Sequence, residues 1–250
     1  MPHSGFRIRR FTSPGRLAAA LARHLSTAVE AHPSLVLGLP TGRTPLPLYA
    51  RLVDCHRRGL IDFSRVTTFN LDEFVGVACD DPASYRSFMQ RELFSHVNAQ
   101  PANINFLNGC ADDLDTECRR YERRITQAGG LDVVLLGLGV NGHIGFNEPA
   151  RHLLAETHVA RLTADTRRAN AALFRPTRRA VPRRGVSMGM GTILRAGQII
   201  LMATGAAKAA AVRGLVDGPV TPRLPASFLQ LHRTVELWID APAAAHLSAT

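Results

Sequence analysis

Leu35-Val36-Leu37-Gly38-Leu39-Pro40-Thr41-Gly42-Arg43-Thr44-Pro45 is the stretch on which the fold turns. Five apolar residues in a row read as a strand buried on both faces, as in the middle of a parallel sheet. Residues 46–53 then read as a helix, with Pro45 and Pro47 confined to its start, where a missing N–H costs nothing. The same alternation recurs outward. Val66-Thr67-Thr68-Phe69, Val133-Val134-Leu135-Leu136 and Ile199-Ile200-Leu201-Met202 are further short apolar runs, and residues 235–239 form a late one. Between them, residues 84–94 and 206–215 read as helices. So do residues 112–125, with apolar positions at Leu114, Cys118, Tyr121 and Ile125. Strands alternating with helices predict an α/β fold: a mostly parallel central sheet flanked by helices, a Rossmann-like three-layer sandwich, in one domain over residues 1–250. Residues 151–185 are polar, Arg-rich and without a clear strand, which fits either a lid or a surface excursion.

Composition narrows the function classes. The 250-residue chain is 46% hydrophobic, enough for a substantial core. No apolar run reaches the roughly 18 residues needed to span a bilayer. The basic N-terminal segment has no signal-peptide core. Arg16 and Arg23 bracket its short apolar stretch, which reads as an amphipathic helix; its Arg-rich, acid-poor composition leaves organelle targeting as a weaker alternative. Cys55, Cys79, Cys110 and Cys118 match no zinc or CxxC spacing and read as free thiols of a cytoplasmic protein. The net charge of +10 invites a nucleic-acid reading. Against it, the arginines are spread along the chain, with only small clusters at residues 175–179 and 183–184, and no RNA-binding aromatic motif or zinc finger accompanies them. The chain is expected to bind neither nucleic acid nor membrane; a homo-oligomer stays open.

Four segments carry candidate chemistry, each at the end of a predicted strand, where open α/β sheets bind ligands. Thr41, Gly42, Arg43 and Thr44 lie between strand and helix. There exposed N–H groups and hydroxyls suit an anion, although a plain threonine-capped turn has the same look. Asp72 and Glu73 are adjacent acids, so one is expected to face the cleft and the other to do structural work. Residues 137–149 contain a formal GxGxxG, but no long helix follows, so a dinucleotide site is set aside. What that loop offers is His143, a natural acid–base group near neutral pH, with Glu148 to orient it. Lys208, the only lysine, falls in the first turn of a helix, opposed to the helix dipole, where an anionic ligand would justify it. No metal-ligating cluster and no cofactor are expected.

Together these segments resemble the glucosamine-6-phosphate deaminase family over roughly residues 33 to 240. The resemblance is carried by LGLPTGRTPLPLY, VTTFNLDEFVG, DPASYRSFMQRELFSHV, PANINFLNG, GVNGHIGFNEPA, LTADTRRAN and PASFLQLH, in that order. The related 6-phosphogluconolactonases share the fold, but their histidine loop does not continue into FNEP. The resemblance implies an enzyme of the hydrolase type, free of metal and cofactor, acting on an amino-sugar phosphate. His143, supported by Asn141 and Glu148, would help open the sugar ring. Asp72 would carry a proton from C2 to C1, and water would release ammonia. The phosphate would sit on residues 41–44 and Lys208.

Three departures are visible. Asn141 stands where many members have Asp. Ala172 stands where the family commonly has a phosphate-binding Arg, while Arg43 replaces a usually small residue. Arg151, His152, Glu156, His158 and Ala160 do not match the family's allosteric ligand site, so no such allostery is expected. An isomerase or lactonase on a related sugar phosphate, and a non-catalytic sugar-phosphate sensor, are the alternatives; a sensor would want a DNA-binding segment that the stretch before Leu35 is too short to hold.

Overall fold

The computed structural model describes residues 6–176 and 178–247. In chain order the main elements are β1 (Arg7–Phe11), α1 (Pro14–Ala31), β2 (Val36–Leu39), α2 (Leu46–Arg57), β3 (Thr67–Asn70), β4 (Asp72–Phe74), α3 (Tyr85–Glu92), β5 (Ile104–Asn105) and α4 (Leu114–Gln127). They continue with β6 (Val133–Gly137), β7 (His158–Arg161), α5 (Ala164–Phe174), β8 (Arg184–Ser187), α6 (Met190–Leu194), β9 (Gln198–Ala203), α7 (Ala209–Asp217) and β10 (Val235–Asp240).

Seven strands form one sheet in the order β1-β10-β9-β6-β2-β3-β5, every neighbouring pair parallel. The continuous apolar runs are explained by this topology. In β6, Val134 and Leu136 enter the core beneath α4 and α7, while Val133 and Leu135 enter the core beneath α1, α2 and α3. Both faces are covered, so successive residues can all be apolar. Truncating the fully buried Leu135 to Ala would cost ~3 kcal/mol. In α1, Leu17, Leu21 and Leu25 are buried while Arg16 and Arg23 stay exposed, which is the amphipathic arrangement expected there. No helix among the described residues is long and apolar enough to cross a membrane.

From β2 the chain steps outward in one direction to β3 and β5, and in the other to β6, β9 and β10. The order reverses between β2 and β6. At such a reversal the loops leaving the two strands diverge and open a crevice at their carboxyl ends.

Three expectations need correction. The first strand is β1, not the run at Leu35. It is an edge strand, RIRRF, whose partly exposed residues carry no apolar signature. Residues 151–185 are not strandless. They hold β7, α5 and β8, and β7 and β8 join β4 in a second, antiparallel sheet ordered β4-β8-β7. HVAR is only partly buried and RGVS is short and opens on an exposed arginine, which hid these strands. The predicted 206–215 helix is a 3-10 turn, Ala206–Lys208, followed by α7. Residues 1–5 of the basic leader, and Thr177 within the 175–179 arginine cluster, lie outside the described residues.

The small sheet and α5 are fastened by an aromatic cluster. Phe74 lies 4.6 Å from Tyr85, 5.3 Å from Phe146 and 5.0 Å from Phe174, centroid to centroid. Pairs of this geometry contribute about 0.5–1.5 kcal/mol each beyond burial.

Candidate active site

The crevice between β2 and β6 opens into a cleft of about 660 Å³. Its floor and walls come from the predicted strand ends: residues 41–44 after β2, Asp72 after β3, Gly139 and His143 after β6, and Thr204 and Lys208 after β9. Asp165, Asn170 and Ala172 of α5 close one side, and Tyr85 and Arg91 of α3 another. Asn141 and Glu148 do not line the cleft; they stand behind His143.

Asp72 and Glu73 are both buried, yet their surroundings differ. Glu73 Oε1 accepts from the amides of Phe74 (2.8 Å) and Tyr85 (3.0 Å), and Oε2 accepts from that of Arg86 (3.0 Å). It therefore satisfies the first amides of α3, which have no partner inside the helix. Asp72 Oδ1 has no hydrogen-bond partner among the described residues. Burial, reinforced by the neighbouring Glu73 charge, raises its pKa to about 8, with the Thr41 hydroxyl acting in the opposite direction. The expected division of labour between the two acids holds: one faces the cleft and the other builds a helix start.

His143 is fixed from behind. Its Nδ1 lies 2.7 Å from Asn141 Oδ1 and 3.6 Å from Glu148 Oε2. The Asn141 amide nitrogen donates to Glu148 Oε2 at 3.2 Å, so Asn141 must present its carbonyl to the ring. A carbonyl only accepts. Nδ1 therefore carries the proton, and the neutral imidazole keeps its free lone pair on Nε2. Burial lowers the pKa of His143; Lys208 adds to that and Glu148 opposes it. Gly139 permits this packing, since a Cβ there would collide with the imidazole.

The anion elements meet in the same cleft. Gly42 has φ +97°, a left-handed conformation that favours glycine and turns the 41–44 backbone toward the opening. Half-buried Lys208 sits at the start of α7, and burial lowers its pKa, so an anion beside it would restore the charge. Exposed Arg43 reaches the rim from the β2–α2 loop, and with Ala172 the α5 residues that line the cleft include no cation.

Several residues here were not singled out from sequence. Tyr85 donates to Asn170 Oδ1 at 2.9 Å and lies within hydrogen-bonding reach of Thr41. Thr163 and Thr166 touch the back of the histidine network. Arg91 and Phe88 line the outer cleft. All occupy segments with no distinctive spacing; only their tertiary placement reveals them. The four cysteines are free thiols.

The crevice of a parallel α/β sheet thus joins an acid, a histidine and the strand ends expected to hold an anion, a layout that fits an enzyme acting on a phosphorylated sugar. The chain belongs to the glucosamine-6-phosphate isomerase/6-phosphogluconolactonase family, whose model matches residues 13–238. Within it, the chain is 46% identical over 216 residues to a glucosamine-6-phosphate deaminase of Thermoanaerobacter sp. (strain X514), covering 86% of this chain and 85% of that one. It is 43% identical over 233 residues to the deaminase of Clostridium botulinum (strain Loch Maree / Type A3), covering 93% and 95%. The solved structure of a monomeric glucosamine-6-phosphate deaminase superposes with a TM-score of 0.92 at 40% identity, covering 96% of this chain and all of that one. A 6-phosphogluconolactonase from Trypanosoma cruzi has a TM-score of 0.79 at 21% identity, over 100% of this chain and 99% of that one, a likeness of fold.

Proposed function

We propose that the chain converts glucosamine 6-phosphate and water to fructose 6-phosphate and ammonia. One observation carries the mechanism: a buried carboxylate with an unpartnered oxygen shares a cleft with an imidazole whose free lone pair is on Nε2.

The closed sugar must first open. His143 Nε2 takes the anomeric hydroxyl proton and returns a proton to the ring oxygen, giving the aldehyde. The C2–H is then acidic, because it lies next to a carbonyl. Asp72 removes that proton, leaving a C1–C2 enol with the amine on C2, and delivers it to C1. The product is an imine at C2, which water hydrolyses to the ketone and ammonia. Each transfer is general acid–base catalysis by a positioned group, worth about 10²–10⁴-fold. The final hydrolysis is what earns the enzyme a hydrolytic as well as an isomerising description.

The phosphate is assigned to the amides and hydroxyls of residues 41–44, with Lys208 and Arg43 as counter-charges. Arg43 takes on the role that Ala172 leaves vacant. Residues 151–185, with α5 on the cleft wall, are read as a lid fastened through Phe174 to the aromatic cluster of Phe74, Tyr85 and Phe146. The free thiols support a cytoplasmic setting.

The test is ammonia release by purified protein given glucosamine 6-phosphate, galactosamine 6-phosphate or free glucosamine. Release from the first supports the proposal. Turnover of a sugar phosphate without ammonia would replace it with the isomerase or lactonase reading.

A further inference from the structure

The carboxylate behind His143 is held from two sides. Glu148 Oε2 faces Asn141 and the imidazole. Glu148 Oε1 accepts from the Thr163 backbone N–H and from the Thr163 hydroxyl, each at 3.1 Å. Thr163 is also the N-cap of α5. Its φ of −67° and ψ of 165° are those of a residue just outside a helix, and its Oγ1 accepts the Thr166 amide at 3.3 Å. One hydroxyl thus does two things, using a lone pair to start the helix and its proton to fix Glu148. In the next turn, Thr166 Oγ1 reaches to 3.4 Å from His143 Nδ1. The charged groups acting on His143 are Glu148 on its own loop, Lys208 ahead of α7 and Asp165 in the first turn of α5.

We propose that Thr163 is a positioning residue of the reaction: it ties the start of the cleft-lining helix α5 to Glu148, and so links the seating of α5 to the protonation of His143. This rests on the acid–base role given to His143 above. When α5 is seated, two donors neutralise much of the Glu148 charge on the side away from the ring, and the imidazole stays neutral with Nε2 ready to accept. When α5 moves, both donors leave together, because they belong to one residue. The bare carboxylate then draws a proton onto His143 and the base is lost.

Substitutions at 163 separate the link from the cap. Thr163→Asp still caps a helix and keeps the N–H, but its side chain donates nothing and adds a negative charge beside Glu148. Thr163→Val keeps the N–H and the shape but loses the hydroxyl. Thr163→Ser keeps both functions. His143 is followed by proton NMR titration, its resonance assigned as the one missing from His143→Gln. Alongside it, kcat and KM are measured against pH, and Tm reports folding.

The expected result is a His143 pKa raised by about one unit in Thr163→Asp and by less in Thr163→Val. The lower of the two acid inflections of kcat/KM, beneath the one set by Asp72, should move alkaline by the same amount. The loss should fall on kcat more than on KM, Tm of Thr163→Asp should stay near wild type, and Thr163→Ser should restore the wild-type titration. A folded Thr163→Asp protein whose His143 titrates as in wild type overturns the inference, even if its activity drops. A His143→Gln variant as active as wild type overturns the proposed function instead, and the titration separates the two failures.

Discussion

The two walls of the cleft hold their reactive groups in opposite ways. On the β3–β4 wall, Asp72 is buried with one oxygen bare, and burial pushes its pKa up to about 8. On the β6-loop wall, His143 is backed by Asn141, Glu148 and Thr166, and its pKa is pushed down. The first group keeps one oxygen without a partner, and in the proposed reaction a substrate C–H becomes one. The second is given every partner on one nitrogen so that only the other can act. The walls differ in cost as well: a bare buried carboxylate destabilises the fold, whereas the hydrogen-bonded imidazole is supported by it.

The sharpest way to break this contrast is at Asp72. Asp72→Asn should lower kcat by about 10³-fold or more while leaving the protein folded. His143→Gln should cost ~10²-fold, less because ring opening also proceeds in water. Stability should invert the order. Glu73→Ala strands two amides at the start of α3 and that of Phe74 in β4, and should destabilise by ~3 kcal/mol in urea melts, although Glu73 lies outside the cleft lining.

Asp72→Asn should instead become more stable than wild type, in a pH-dependent way. Folding raises the Asp72 pKa from 3.8 to about 8. Its protonation therefore favours the folded state below pH 4, and that advantage is lost as pH rises through 8. The variant should gain on wild type between pH 4 and 8, by ~6 kcal/mol at pH 9, and the gain should level off above that. A stability difference that ignores pH would show that Asp72 is not held in this way. For the same reason, kcat/KM of the free enzyme should fall as pH drops through about 8, where Asp72 takes up its proton. The smallest effect is at the rim. Arg43→Ala should raise KM for the phosphorylated sugar by about tenfold and leave free glucosamine unaffected; equal effects on both would remove Arg43 from the phosphate site.

The sequence carries these features unevenly. Buried parallel strands such as β2, β6 and β9 are legible because residues covered on both faces must all be apolar. β4, β7 and β8 are short and each carries a charged residue or a histidine, so their residues look like polar loop, and the second sheet stayed hidden for that reason. Asp72, His143, Lys208 and residues 41–44 are legible because each ends a strand that was itself legible. Glu148 is legible as an acid on the same glycine-rich loop as His143, Asn141 only through the resemblance, and the structure puts both behind the imidazole. Thr163 and Tyr85 could not be found. A threonine before a helix reads as a cap, and nothing local tells that its proton points at Glu148. A tyrosine opening a helix reads as core until Asn170 and Thr41 are seen beside its hydroxyl.

The central claim is that Asp72 carries one proton from C2 to C1, and an isotope label follows that proton. Glucosamine 6-phosphate bearing deuterium at C2 is given to wild type and to Asp72→Asn, and the fructose 6-phosphate is examined by NMR. Part of the deuterium should appear at C1 of the wild-type product, the rest exchanging with water, and Asp72→Asn should form almost no product. An Asp72→Asn protein that releases ammonia at the wild-type rate, with deuterium still transferred to C1, would contradict it.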